Sequence, residues 1–276
     1  MRTGEAIQLF LTSRRAMGLS ARTLEQYTQQ LRDFAKTIGI LPCKPEDIEA
    51  FLAWLESKGV TPETVHSYFR TLRAFNNFMK KRHGMVSFLE GINPPRVPAK
   101  VMPTLDAVDI PLISIFIQNP RDMALFMLFI DTGIRETEAV NLQRRDIKED
   151  YILVIGKVGQ RAVPISETVK TMLLSLPVYE DGYVFHGRRG HLTRNGIYQI
   201  ISKYLRKVGI TKKCGPQRLR HTFGRHYLVL GGDTRSLQLI LGHANIQTTE
   251  RYANLVIDDV VKKHHEHTPI QLMEVR

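Results

Sequence analysis

Apolar residues recur at helical spacing through the first ninety positions. One stripe, Leu24, Tyr27, Leu31 and Phe34, begins beside Ser20 and Thr23, either of which can cap a helix, and runs out at Gly39. A second, Ile48, Phe51, Leu52 and Leu55, starts at Pro45 and stops at Gly59, with proline inside the start and glycine past the end. A third, Val65, Phe69, Leu72, Phe75 and Met79, opens at Thr61-Pro62. Together they predict an all-helical N-terminal domain over residues 1–90. Four of the 13 prolines then fall between Gly91 and Pro103, a density that blocks helix and predicts an extended linker over 91–104. A second domain is predicted over 105–276. Within it the pattern gives an apolar helix over Ala124 to Thr132 ending at Gly133. Two β-rich runs follow, Tyr151 to Gly156 and Arg161 to Ile165, around a Lys157-Val158-Gly159-Gln160 turn. Helices are predicted again over Ser166 to Leu176, Arg194 to Val208, Gln217 to Leu230 and Ser236 to Leu241. The fold class is therefore mainly α, with an α+β second domain built on a small antiparallel sheet.

Composition narrows the function classes. The chain has 276 residues and a formal net charge of +12, split evenly as +6 over residues 1–100 and +6 over 101–276. A basic surface on both halves fits a polyanionic partner that both touch, because neutralised phosphates release counterions and the field steers encounter. A merely solvated basic surface is the bland alternative. The longest apolar run, Met123 to Ile130, is far short of the roughly 20 residues of a membrane span. Arg14 and Arg15 break any signal-peptide core, so the expectation is a cytoplasmic protein with no membrane partner. Cys43 and Cys214 stand alone, without the spacing of a zinc site or a disulfide framework. Neither a phosphate-cradling GxxxxGK[ST] loop nor a tight carboxylate cluster is present, so no metal or other cofactor is expected.

Candidate chemistry sits in five segments: Thr132-Gly133-Ile134-Arg135-Glu136-Thr137-Glu138, Gly156-Lys157, Gln217-Arg218-Leu219-Arg220-His221, Leu241-Gly242-His243 and Thr248-Thr249-Glu250-Arg251-Tyr252. Singly each is weak, since arginine after glycine is often an ion-pairing surface residue and lysine in a β-turn is ordinary. In this order, two arginines, a hairpin-turn lysine, a histidine and a tyrosine resemble the signature of the tyrosine recombinases, the phage-integrase family. Thr23, Tyr27, Leu31 and Phe34 are similar to the pattern of that family's N-terminal core-binding helices, and Leu142 with Asp146-Ile147 to the segment after its first arginine. The compact length is most similar to the Xer-type and simple integrase branch.

The chemistry agrees with the resemblance. Breaking a phosphodiester without water needs a nucleophile, charge stabilisation on the phosphate and an acid for the departing 5′-oxygen. The resemblance implies Tyr252 as nucleophile and Arg135 and Arg220 as the forks that hold two phosphate oxygens. It implies Lys157 as general acid and His243 as a hydrogen-bond donor to the scissile phosphate. Glu138, one turn after Arg135, reads as a brace that orients it, and His221 as structural. Gln217 departs from the pattern, because that position ordinarily holds histidine, or less often lysine. A glutamine can donate to phosphate but cannot take the proton of Tyr252. Three readings stay open: the base is dispensable, His221 or solvent replaces it, or the enzyme is slow.

The implied function is a site-specific recombinase that cleaves and rejoins strands of double-stranded DNA through a phosphotyrosyl link, without metal or ATP. It would act as a homotetramer on two recombination sites and be monomeric free in solution. Arg22, Lys36, Arg70, Arg73 and Lys80 are candidate DNA contacts on the N-terminal helices. The alternative is a DNA-binding or architectural protein of the same fold with reduced or lost turnover. A tail after Tyr252, Leu255 to Val261 and Ile270 to Met273, would pack on a neighbouring subunit or on its own domain.

Overall fold

The computed structural model describes residues 1–98, 102–156 and 159–242. The chain forms two compact units, Met1–Lys100 and Val101–Arg276.

In the first unit four helices follow one another: α1 (Thr3–Ala16), α2 (Ala21–Thr37), α3 (Pro45–Ser57) and α4 (Pro62–His83). Ser20 caps α2 by accepting the N–H of Thr23, and Pro45 and Pro62 open α3 and α4 with a preset φ. Gly84 ends α4 at φ +61°. The apolar stripes meet in a core of aromatic rings, with Phe10 to Phe75 at 5.4 Å and Phe34 to Phe51 at 5.4 Å between centroids. A buried polar bond, Thr71 hydroxyl to Gln30 at 2.6 Å, fixes α4 against α2. Helix α1 is an element that the three apolar stripes do not predict. Its buried face, Ala6, Ile7, Phe10 and Leu11, is short and is flanked by exposed Leu9, which blurs the period. Residues 92–98 carry neither helix nor strand, and His66 Nδ1 lies 3.0 Å from the carbonyl of Pro95.

The second unit is helical with two small antiparallel sheets among the described residues. Its elements run α5 (Asp109–Ile115), α6 (Pro120–Thr132), α7 (Glu136–Val140), a 3-10 turn (Arg144–Asp146), β1 (Tyr151–Gly156), β2 (Gly159–Pro164) and α8 (Glu167–Leu174). After these come β3 (His186–Gly187), β4 (Gly190–His191), α9 (Arg194–Lys207), α10 (Pro216–Val229) and α11 (Thr234–Leu241). The mainly α architecture with a small antiparallel sheet is the one the sequence pattern predicts. Helix α6 is the spine of this core: Leu125, Phe126, Leu128 and Phe129 are all buried, against Ile152, Val163, Phe185, Ile197 and Leu219 from the elements around it.

The hairpin differs from the prediction in its turn. Gly156 pairs with Gly159 and Ile155 with Gln160, so Gly159 and Gln160 belong to β2 and only residues 157 and 158 connect the strands. The run Gly-Gln-Arg at 159–161 is polar because that end of the strand carries little core, and its ladder bonds rather than its hydrophobicity make it β. The short α5, α7 and the β3–β4 pair were also unforeseen, being too short for either period to register. Among the described residues no helix is long and apolar enough to cross a membrane.

Candidate active site

Arg135 owes its position to a sharp corner. Helix α6 ends at Gly133, which takes φ +60°, and the chain turns at once into α7, with Arg135 at its N-cap. Glu138, at the third position of α7, reaches back to accept the backbone N–H of Arg135 at 2.7 Å, one half of a capping box. Its other oxygen accepts the Arg135 guanidinium at 3.0 Å. Arg220 projects from the first turns of α10 and donates to the Gly133 carbonyl at 2.5 Å and to that of Leu241 at 2.8 Å. The two arginines singled out in the sequence, 85 positions apart, therefore converge on the Gly133 corner and the end of α11. Their surroundings differ: Arg220 is 3% exposed, whereas the Arg135 side chain keeps 35% of its surface open.

A third arginine completes the cluster, one absent from the sequence-derived set. Arg161, on β2, donates from Nη1 and Nη2 to the two oxygens of Glu138 at 2.6 and 2.9 Å, and from Nε to the carbonyl of Ile240 at 2.9 Å. Arg135 donates to the carbonyl of Gly242 at 3.1 Å. The last carbonyls of α11, at Ile240, Leu241 and Gly242, are each taken by one guanidinium from a different element. A helix C-terminus leaves such carbonyls without intrahelical partners and carries partial negative charge, so cations are favoured there. The only sequence signal for Arg161 is a charge in a strand otherwise read as apolar.

Glu138 has no exposed side-chain surface. Burial alone would raise its carboxyl, but hydrogen bonds from Arg161 and from the Arg135 backbone, with both guanidinium charges, hold it below the ordinary carboxylate value. It is thus an anion between two cations. With Arg220, the cluster holds three positive charges against one negative, a surplus suited to an anionic guest.

Gln217 lies exposed on α10, one turn before Arg220 and His221. Its Nε2 is 3.4 Å from His221 Nε2. Burial, with Arg220 and Lys213 nearby, pushes the His221 imidazole down to about 4, so this ring is neutral at pH 7 and a feeble proton acceptor. Lys157, His243 and Tyr252 lie outside the described residues, as do the tail segments after Tyr252. Chain connectivity puts Lys157 directly after Gly156 of β1, and His243 directly after Gly242.

The candidate DNA contacts on the first unit fall on exposed surface. Arg70, Arg73 and Lys80 share one stripe of α4, and Arg22 stands in the first turn of α2. Lys36 differs, for it is paired to Asp33 at 2.9 Å. A stronger basic feature lies in the second unit. Between Asp181 and Asp233 the chain has eleven lysines and arginines and no acidic residue. Most are exposed on β3–β4, on α9 and on the loop before α10. The run is visible in the sequence as a local charge excess, which the equal charge of the two halves conceals.

Residues 104–257 match the Phage integrase family, and residues 7–83 match the Phage integrase, N-terminal SAM-like domain. The chain is 32% identical to tyrosine recombinase XerD of Listeria monocytogenes serovar 1/2a, over 90% of this chain and 94% of that one. It is 28% identical to tyrosine recombinase XerA of Pyrococcus horikoshii, over 91% and 89%. Among solved structures, the XerH site-specific recombinase bound to a palindromic difH substrate superposes with a TM-score of 0.75 at 18% identity, covering 98% of this chain and 85% of that one, a likeness of fold. With both motif arginines set on one corner and a relative matching nearly end to end, the chain belongs to the phage integrase family and is a tyrosine-type site-specific recombinase of the Xer kind.

Proposed function

We propose that this protein cuts and reseals double-stranded DNA through a covalent link to Tyr252, with neither a metal ion nor ATP in the reaction. The observation that carries this reading is the convergence of Arg135 and Arg220 beside the end of α11, from which the chain runs directly into His243. The Tyr252 oxygen attacks the scissile phosphorus, the bond from phosphorus to the 5′-oxygen breaks, and Lys157 protonates that oxygen. Arg135 and Arg220, with His243, balance the charge that grows on the non-bridging oxygens. The phosphotyrosyl bond stores the energy of the diester it replaces, so a 5′-hydroxyl from another strand reverses the step. Exchange between two duplex sites, each carrying two protomers, makes the working unit a tetramer. Arg22, Arg70, Arg73 and Lys80 are proposed to meet the DNA backbone, with Lys36 a weaker candidate because Asp33 already neutralises it.

The test is incubation with a nicked, end-labelled duplex library without metal or ATP, followed by denaturing gels that retain protein–DNA adducts. A covalent adduct is expected with the wild-type chain and none with Tyr252→Phe. Tight DNA binding without any adduct would favour an architectural protein instead.

Two described side chains bear on the fate of the tyrosine proton. Gln217 cannot accept it, and the His221 imidazole is held down to about 4. Of the readings open for that proton, these two observations favour solvent as its acceptor. Cleavage should rise about tenfold per pH unit between roughly pH 6 and 9, as expected for a nucleophile that must ionise with no protein base, an unperturbed phenol having a reference value of about 10. Single-turnover rates across that range would show a plateau near neutrality if a protein base were at work. Gln217→His should introduce an inflection near about 6.5.

A further inference from the structure

Arg161 belongs to none of the roles above, yet it is the side chain through which the hairpin, α7 and α11 are joined. Its Nε binds the Ile240 carbonyl while Nη1 and Nη2 bind both oxygens of Glu138, the residue that holds Arg135. The side chain is 16% exposed, and all three of its nitrogens are engaged. The backbone leaves it a slot floored by two glycines. A Cβ on Gly242 would come within 2.9 Å of Arg161 Nε, and Gly242 has φ +62°. On Gly156 a Cβ would lie 2.9 Å from Glu138 Oε1 and 3.2 Å from Arg161 Nη1. The last residue of β1 thus packs directly over the Glu138–Arg161 pair, and the next residue in the chain is Lys157.

We propose that Arg161 is a positioning residue for strand cleavage: by clamping the β1–β2 hairpin to Glu138 and to the end of α11, it aims Lys157 at the departing 5′-oxygen. This rests on the reading of Lys157 as the proton donor. The proposal gives Arg161 no contact with the phosphate: three of its five N–H donors go to Glu138 and Ile240, and each of its nitrogens is held by one of them. A lysine cannot replace it, because one ammonium cannot reach both carboxylate oxygens and a carbonyl on the far side.

The test uses the duplex recovered as an adduct from the library, made in two forms: one ordinary, the other with sulfur in place of the bridging 5′-oxygen at the scissile phosphate. A thiolate leaves without being protonated, so the sulfur form needs no aimed acid. Arg161→Lys and Arg161→Met should bind the duplex like wild type and cleave the ordinary form about 10–100-fold more slowly. On the sulfur form both should cleave within about threefold of wild type. Equal loss on the two forms, or no loss on the ordinary one, overturns the proposal. If Arg161→Met fails to fold, Arg161→Lys, which keeps charge and most of the volume, decides alone. Lys157→Met separates the parent reading: if sulfur does not restore that variant, the role of Lys157 falls. If sulfur restores Lys157→Met but not the Arg161 variants, only the role of Arg161 falls.

Discussion

Arg220→Lys is expected to lower strand cleavage by about 10²–10³-fold, the cost of losing one preorganised donor to a developing negative charge. The loss should be in the cleavage step and not in duplex affinity, because this residue is buried and contributes little to the outer field. The physical reason lies in the two carbonyls it spans. One guanidinium donates at once to Gly133 on the α6–α7 corner and to Leu241 at the end of α11, which fixes the plane that it is proposed to present to the phosphate. A lysine ammonium can satisfy one carbonyl only and cannot hold the corner and the helix end together. Single-turnover cleavage and duplex affinity, measured side by side with a thermal melt, check the expectation. Cleavage within tenfold of wild type would show that Arg220 is a structural staple alone.

The second large effect falls on stability. Glu138→Gln should destabilise the second unit by about 3 kcal/mol, the lower end of what breaking a buried ion pair costs, because the open side of Arg135 recovers some hydration. For a unit of this size that is a fall in Tm of about 6–12 °C. The effect carries a pH signature with a definite sign. The carboxyl of Glu138 is held below its ordinary value in the folded chain, so its contribution is complete above the unfolded carboxylate value and is lost as pH falls through the folded one. The Tm gap between wild type and Glu138→Gln should therefore be widest at pH 5 and above and close on acidification. Melts across that range would contradict the buried-anion account if the gap stayed constant.

These two expectations rest on different parts of one arrangement, in which guanidinium groups fill the unpaired carbonyls at a helix end. The α11 terminus is thereby fixed by three contacts from α7, β2 and α10, each long-range in sequence.

Much of this protein could be read from its residues in order. The stripes led by Leu24, Ile48 and Val65, the caps at Ser20, Pro45 and Pro62, and the stops at Gly59 and Gly133 are local codes, written in adjacent residues and governed by backbone sterics and helix period. The arginines at 135 and 220 were legible because their neighbours repeat a family pattern. What the order of residues left open were contacts whose partners lie far apart. That β2 begins at Gly159 is a matter of ladder bonds, which no side chain announces. Arg161 reads in sequence as a stray charge on a strand, and only packing brings it to Glu138, 23 positions away, and to Ile240, 79 away. His221 looks like a spare base beside Gln217 until burial and the charge of Arg220 lower its affinity for a proton. Local structure follows from neighbours along the chain; the ionisation and the bracing of the site follow from neighbours in space, which only the folded chain supplies.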